Sequence, residues 1–394
     1  MSDYLNELKL PNRILLGPGP SNVHPRVLQA MLWPMLGHLD PDFWPVLDQV
    51  RDMLRLVLGT TQNWTLPLPA TGTAGMESAF CNVVEPGDRV VIVVNGFFGG
   101  RMVEIASRCG ADVQRIDVPW GKPVLPEIVA QALSAQGRVK AVGVVHAETS
   151  TGVLSPIQEI AQVVHNHDAL LIVDAVTSLG GVELYIDDWD IDICYGVSQK
   201  CLGAPPGLAP ISLGRRAVEV LTQRKSPVQS FYLDMVTLAD YWSERRRYHH
   251  TAPILMLYAF REALRLIMEE GLRQRWQRHA HTAAALRAGL QALELELFAD
   301  ANYRLDPLTT IVVPENVDAA QVQRQLYQEY NIEIGGGLGD LQGKIWRIGL
   351  MGDSCKASNV LLVLSALEHI LARQGYAQSH GAGVAAAQQI FAVS

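Results

Sequence analysis

Two apolar patterns alternate along the first two-thirds of the chain. Short runs in which almost every position is apolar occur at 88–94 (DRVVIVV), 139–145 (VKAVGVV), 169–174 (ALLIVD), 191–195 (IDICY) and 207–213 (GLAPISL). Between several of them lie helix-like stretches such as 126–135 and 156–166. Runs that do not alternate predict strands covered on both faces, and helical crossovers between them predict a mostly parallel α/β sheet. Past Pro253 the pattern changes. Residues 254–293 have the spacing of long helices broken near Gly271, followed by a strand at 309–313, a helix at 318–330 and a strand at 345–350. Val360, Leu361, Leu364, Leu367 and Leu371 then recur at helical spacing, completing a smaller α/β domain. From Gly375 onward the chain is rich in small residues and is expected to be loosely held.

Composition narrows the classes. At 394 residues, two domains around a shared cleft are expected. The net charge of −8, from 32 basic and 40 acidic residues, argues against a nucleic-acid partner. The cluster Arg245, Arg246 and Arg247 reads as a solvated face or local anchor. Five cysteines, odd in number and without a C-x-x-C pair, suggest neither a disulfide framework nor a zinc site, and fit a reducing cytoplasm. The N-terminus lacks the apolar stretch of a signal peptide, and no run approaches the roughly 20 apolar residues of a membrane helix.

Three places carry candidate chemistry. Asp174 ends the apolar run LLIVD and is followed by AVTSLGG. A carboxylate there either caps a following helix or faces the crevice where open α/β sheets bind ligands. Lys200, in GVSQKCLGAPPG, follows a β-run and precedes a Gly-Pro loop. Such a lysine either snorkels to solvent or is buried, and a buried lysine loses its charge readily, as a Schiff-base nucleophile must. The two lie 26 positions apart, at the ends of neighbouring strand candidates. A lysine for an aldehyde and an anion for a ring nitrogen are what pyridoxal phosphate requires. Gly72, Thr73 and Ala74, in ATGTAGMESAF, open a helix-like stretch that is either an ordinary turn or a phosphate site. The G-x-G-x-x-A of Gly381, Gly383 and Ala386 follows no strand, so a dinucleotide site fails on context. The pairs His165/His167 and His279/His281 lack a metal-ligand pattern, and no metal is expected.

Ten motifs then occur in order: GPGPSN (17–22), GTAGMESA (72–79), NGFFG (95–99), AETSTGVL (147–154), VDAVTSLGG (173–181), SQKCLGAPPG (198–207), FYLD (231–234), YHHT (248–251), GGLG (336–339) and WRIGLMG (346–352). With them the chain resembles the alanine–glyoxylate aminotransferases of the class V pyridoxal-phosphate-dependent family, which includes serine–glyoxylate and serine–pyruvate enzymes. The resemblance covers the chain from about Pro11 to Arg373. It implies the fold type I of pyridoxal-phosphate-dependent transferases: an N-terminal segment (1–22), a large cofactor domain with a mostly parallel sheet of the seven-stranded type (23–270), a small C-terminal α/β domain (271–375) and a tail (376–394). Amino transfer from a small amino acid, alanine or serine, to glyoxylate or pyruvate is the implied activity.

The resemblance also assigns residues. It implies that Lys200 forms the Schiff base and moves the Cα proton, and that Asp174 keeps the ring nitrogen protonated. Gly72, Thr73 and Ala74 form the phosphate loop, with Gln199 reaching the phosphate. Phe98 stacks on the pyridine ring where relatives carry tryptophan, Val176 packs on the opposite face, and Thr149 places a hydroxyl near the cofactor. Thr73 stands where relatives often carry histidine, which removes one phosphate contact. Arg347 grips the substrate carboxylate bidentately, and Gly19 approaches the same site. Tyr248 and Thr251 reach the phosphate of a neighbouring subunit's cofactor, which implies a homodimer with shared active sites. His249 and His250 are expected to be structural.

Two rival activities stand beside this. A class V cysteine desulfurase-like lyase needs a mobile nucleophilic cysteine and usually a histidine before the lysine. Here Gln199 precedes Lys200, and neither Cys201 nor Cys355 matches the nucleophile's place. A catalytically idle relative acting as a binding subunit is the other, and retention of Lys200, Asp174 and Arg347 argues against it.

Overall fold

A computed structural model describes residues 6–62, 64–376 and 380–393. Its central sheet has seven strands, in the spatial order Trp64–Leu68, Ala209–Leu213, Ile193–Tyr195, Leu170–Asp174, Ala141–Val145, Arg89–Val94 and Asp112–Asp117. Only Ala209–Leu213 runs against its neighbours; the other pairings are parallel. The four strands beginning at Ala141, Leu170, Ile193 and Ala209 are buried at every position. Coverage on both faces is why their sequences do not alternate.

The two edge strands follow a different rule. Trp64–Leu68 contains Pro67, and four of the six residues of Asp112–Asp117 are polar or charged, so neither resembles a central strand. A proline is tolerated where one side of the strand has no partner, and charges blunt an edge.

Two apolar cores form. The first gathers side chains from Val27 to Ile267 around the large sheet. The second joins Leu16 to residues between Ala285 and Ala387. A three-stranded antiparallel sheet, Leu308–Val312, Ile345–Gly349 and Gly335–Gly336, belongs to this second part. Helix Ala357–Arg373 buries Val360, Leu364, Leu367 and Leu371 completely. Truncating any of the three leucines to alanine would cost roughly 2–5 kcal/mol. Leu16 enters the same core because Ile14–Leu15 pairs with Ile332–Glu333. The helices Ile254–Glu270 and Leu272–Ala292 meet at Gly271, whose φ of 83° ends the first.

The C-terminal tail departs from the expectation of a loosely held segment. Ala382–Phe391 is a helix, with Ala387 buried and Val384, Ile390 and Phe391 packed on the second core. A Cβ on Gly289 would lie 2.8 Å from the Gly383 carbonyl oxygen, so the backbones of two helices come close there. The small residues that made the tail look unstructured are what permit this approach. No described helix is long and apolar enough to cross a membrane.

Candidate active site

The strand Leu170–Asp174 delivers its last side chain to the carboxyl edge of the sheet, and the loop after Ile193–Tyr195 brings Lys200 to the same edge. Both side chains are buried, at 3% and 8% exposure. Lys200 Nζ donates to the hydroxyls of Thr149 (3.0 Å) and Thr177 (2.9 Å), which lie 2.7 Å apart. Burial lowers the Lys200 pKa to about 8, against the opposing pull of Asp174. Gly19, with φ of 105°, lies along the lysine stem, where a Cβ would come within 2.9 Å of Cγ. Only glycine meets both conditions.

Asp174 accepts hydrogen bonds from the Val176 amide (2.8 Å) and the Tyr195 hydroxyl (3.0 Å). Desolvation raises its pKa to about 6 despite those two donors and the nearby lysine. A cationic partner at the open side of this carboxylate would favour its charged form.

Glu148 is fully buried and holds the opposite wall. One carboxylate oxygen accepts from the Phe98 (3.1 Å) and Gly99 (3.3 Å) amides, the other from the Ser150 amide (3.0 Å) and hydroxyl (2.6 Å). A Cβ at Gly96 would fall 2.3 Å from its Cγ, which explains the glycine at the start of the helix Phe97–Arg108. Burial raises the Glu148 pKa, opposed by the Ser150, Gly99 and Phe98 donors.

Arg347 comes from the small sheet and closes the cleft. Its Nε donates to the Gly336 carbonyl (2.7 Å) and its Nη1 to the Thr149 carbonyl (3.1 Å). Burial lowers its pKa to about 10, with Glu148 acting in the other direction.

These groups surround a cavity of about 250 Å³. Gly19, Gly72, Thr73, Phe98 and Thr149 line it, and so do Asp174, Val176, Gln199, Lys200 and Arg347. The helix Gly72–Val83 begins at its rim with no side-chain cap. The Ala74 amide is bonded to Thr71, but among the described residues no acceptor meets the Gly72 or Thr73 amides. Ala74 itself does not line the cavity, and neither do Tyr248 and Thr251. Tyr248 is 59% exposed, with its ring 5.5 Å from that of His38. His249 and His250 bond each other through Nδ1 at 2.8 Å, and His249 stacks on Phe231.

A larger cavity of about 420 Å³ lies beyond the Lys200 loop. Its Arg275 and Arg278 are already paired with Glu270, and it contains neither the Lys200 nor the Asp174 side chain. Cys201 is buried against the Thr177 carbonyl with its thiol pKa pushed up to about 12, and Cys355 is buried with its pKa raised. Neither is an exposed thiolate suited to nucleophilic attack. Among the described residues, no group of three or more His, Cys, Asp or Glu could hold a metal ion.

Sequence reasoning assigned no role to Thr177, Tyr195, Glu148 or Arg101, although Thr177 and Glu148 lie inside the motifs. A hydroxyl or carboxylate within an otherwise apolar strand end was the available signal.

The profile of the family described as Aminotransferase class-V matches residues 15–358. The crystal structure of ureidoglycine–glyoxylate aminotransferase from Bacillus subtilis superposes with a TM-score of 0.96 at 42% identity, covering 98% of this chain and 100% of that one. Alanine–glyoxylate aminotransferase from Nostoc sp. gives a TM-score of 0.92 at 47% identity, over 93% and 97% of the two chains. Alanine–glyoxylate aminotransferase of Callithrix jacchus is 41% identical over 93% of this chain and 89% of its own.

Proposed function

The chain belongs to the class-V aminotransferases, and from that membership we propose that it moves an amino group from a small neutral amino acid to glyoxylate. The cofactor is pyridoxal phosphate, and the residues present fit it. A buried lysine of lowered pKa, a buried carboxylate and two unpaired helix-start amides face one cavity. The observation that carries the reading is Lys200, held between two hydroxyls beside Asp174.

When bound, pyridoxal phosphate supplies an aldehyde for the amine and a ring that takes up the electron pair of the broken Cα–H bond. Lys200 Nζ would hold the cofactor through its aldehyde and, as the free amine, would accept the proton leaving the substrate Cα. A pKa near 8 leaves part of the lysine neutral at physiological pH, as a base requires. Thr149 and Thr177 fix the direction of its lone pair. Asp174 would keep a proton on the ring nitrogen, and Tyr195 and the Val176 amide hold the carboxylate in place. Gly72, Thr73 and Gln199, which line the cavity, would hold the phosphate, and Phe98 and Val176 would flank the ring. Arg347 binds the carboxylate shared by donor and acceptor, and its bonds to Gly336 and Thr149 leave the rest of the guanidinium for this.

The donor is alanine on the first reading. A second, (S)-ureidoglycine, is favoured by the near-complete coverage of a relative named for it, (S)-ureidoglycine–glyoxylate transaminase of the same Bacillus species, 41% identical over 98% of this chain. The working unit is a homodimer in which Tyr248 and Thr251 serve the partner's site. Supporting this, both lie outside their own cavity, and Leu28, Leu32, Trp33 and Met35 form an exposed apolar stretch. Patches of this kind commonly mark protein interfaces.

The test is a matrix of donors (alanine, serine, ureidoglycine) against glyoxylate and pyruvate, read by product formation, with an absorbance scan of the purified protein. Absence of near-visible absorbance in protein given pyridoxal phosphate, or turnover with no donor, would refute the proposal.

A further inference from the structure

One cation in the cleft has no assigned task. Arg101 lines the cavity with Lys200 and Arg347, but its surroundings differ. Lys200 and Arg347 each feel a buried carboxylate, Asp174 or Glu148. Arg101 forms no ion pair among the described residues. Its recorded contacts are a 3.3 Å hydrogen bond from Nη1 to the Thr73 hydroxyl, and the rings of Phe97 and Phe98, whose centroids lie 5.3 and 4.9 Å from the guanidinium carbon.

The local structure explains that pose. Arg101 is the fifth residue of the helix Phe97–Arg108, and helical side chains lean back toward the helix start. This lays the guanidinium over the two phenyl rings and aims it at the neighbouring helix start, where the Gly72 and Thr73 amides lack acceptors among the described residues. A guanidinium has five donors, and Thr73 takes one bond from it. Two positions at which the chain departs from the resemblance, Thr73 and Phe98, are both touched by Arg101.

We propose that Arg101 is a second anion-binding arginine of the cleft, and that the anion it grips is the phosphate of the cofactor. The inference rests on the reading that this cleft binds pyridoxal phosphate. Arg101 then supplies a charge-assisted bond where the residue at 73 is a threonine, while its flat face backs the phenyl ring that replaces a larger one.

The experiment compares full-length wild type, Arg101→Gln and Arg101→Lys. Each is equilibrated with pyridoxal phosphate and, separately, with pyridoxal, and the bound fraction is read by near-visible absorbance. Loss of one charge-assisted bond is expected to weaken pyridoxal phosphate about tenfold or more in the glutamine variant. Binding of pyridoxal, which has no phosphate, stays within about twofold of wild type and shows that the cleft is intact. The lysine variant recovers part of the loss. Equal affinity of wild type and Arg101→Gln for pyridoxal phosphate overturns the proposal. So does equal weakening for both ligands, which makes Arg101 a support for Phe98 only. A raised KM for the amino donor with unchanged cofactor affinity also overturns it, by moving the anion to the substrate. Failure of the wild type itself to bind pyridoxal phosphate is a different result, and it removes the functional reading beneath.

Discussion

The carbonyl oxygen of Thr149 accepts a hydrogen bond from Arg347 Nη1 at 3.1 Å, tying the small sheet to the edge of the large one. The hydroxyl of the same threonine accepts from Lys200, so one residue sets the spacing of both cations. Arg347→Lys puts a compact charge where a planar fork is needed, and it cannot hold Gly336, Thr149 and a carboxylate together. KM for both amino acid and oxo acid is expected to rise roughly 10- to 100-fold, with the cofactor absorbance unchanged. Steady-state kinetics with each substrate varied checks this, and unchanged KM values would remove Arg347 from the substrate site.

Lys200→Ala should abolish the near-visible absorbance of lysine-bound cofactor and stop turnover, while the protein stays folded. Wild type offers a further check through pH. Attack on an aldehyde needs the neutral amine, and burial favours that form, so the pKa is lowered from 10.5 to about 8 in the cofactor-free protein. The rate of cofactor loading should rise with pH through about 8 and then level. A rate that keeps climbing toward pH 10.5 would mean that Lys200 is solvated like an ordinary lysine.

Asp174→Asn keeps the shape and removes the anion. Cofactor affinity should fall modestly, while the Cα proton-transfer step slows by orders of magnitude. Single-turnover half-reactions isolate that step, and equal rates in variant and wild type would refute the role.

Glu148→Gln tests the wall that carries Phe98. The carboxylate accepts four hydrogen bonds, two at each oxygen, whereas an amide has one oxygen and turns two N–H groups toward existing donors. The substitution is expected to cost about 1–3 kcal/mol in a denaturant titration, with looser cofactor binding. An unchanged midpoint would mean that these four hydrogen bonds add nothing net to stability.

Subunit mixing tests the shared site. Lys200→Ala and the double variant Tyr248→Ala, Thr251→Ala should each be weak at limiting cofactor. A mixed dimer has one site carrying both defects and one carrying neither, so co-expression should restore activity that neither parent shows. Mixed dimers without recovery would mean that each phosphate is held within its own subunit.

What was legible in the chain followed from local rules. Strands buried on both faces need apolar side chains at every position, so Leu170–Asp174 could be read directly, and a charged residue at its end stood out. The edge strands Trp64–Leu68 and Asp112–Asp117 were missed because a strand with one neighbour tolerates proline and charge. The helix Ala382–Phe391 was missed because its small residues gain stability only from the helix they pack against.

The sequence by itself determined the alternating α/β pattern, the choice of Lys200, Asp174 and Arg347 as candidates, and the motif order that marks the family. Those properties belong to residue type and spacing along one chain. Only the tertiary structure decided that Thr149 touches both Lys200 and Arg347, that Tyr195 holds Asp174, that Glu148 fastens Phe98, and that Arg101 turns toward Thr73. The partners in these contacts are 21 to 198 positions apart in sequence. Hydrogen bonds act over about 3 Å, so which side chains meet is set by how the sheet and its crossovers bring distant segments together, and no local pattern encodes that distance.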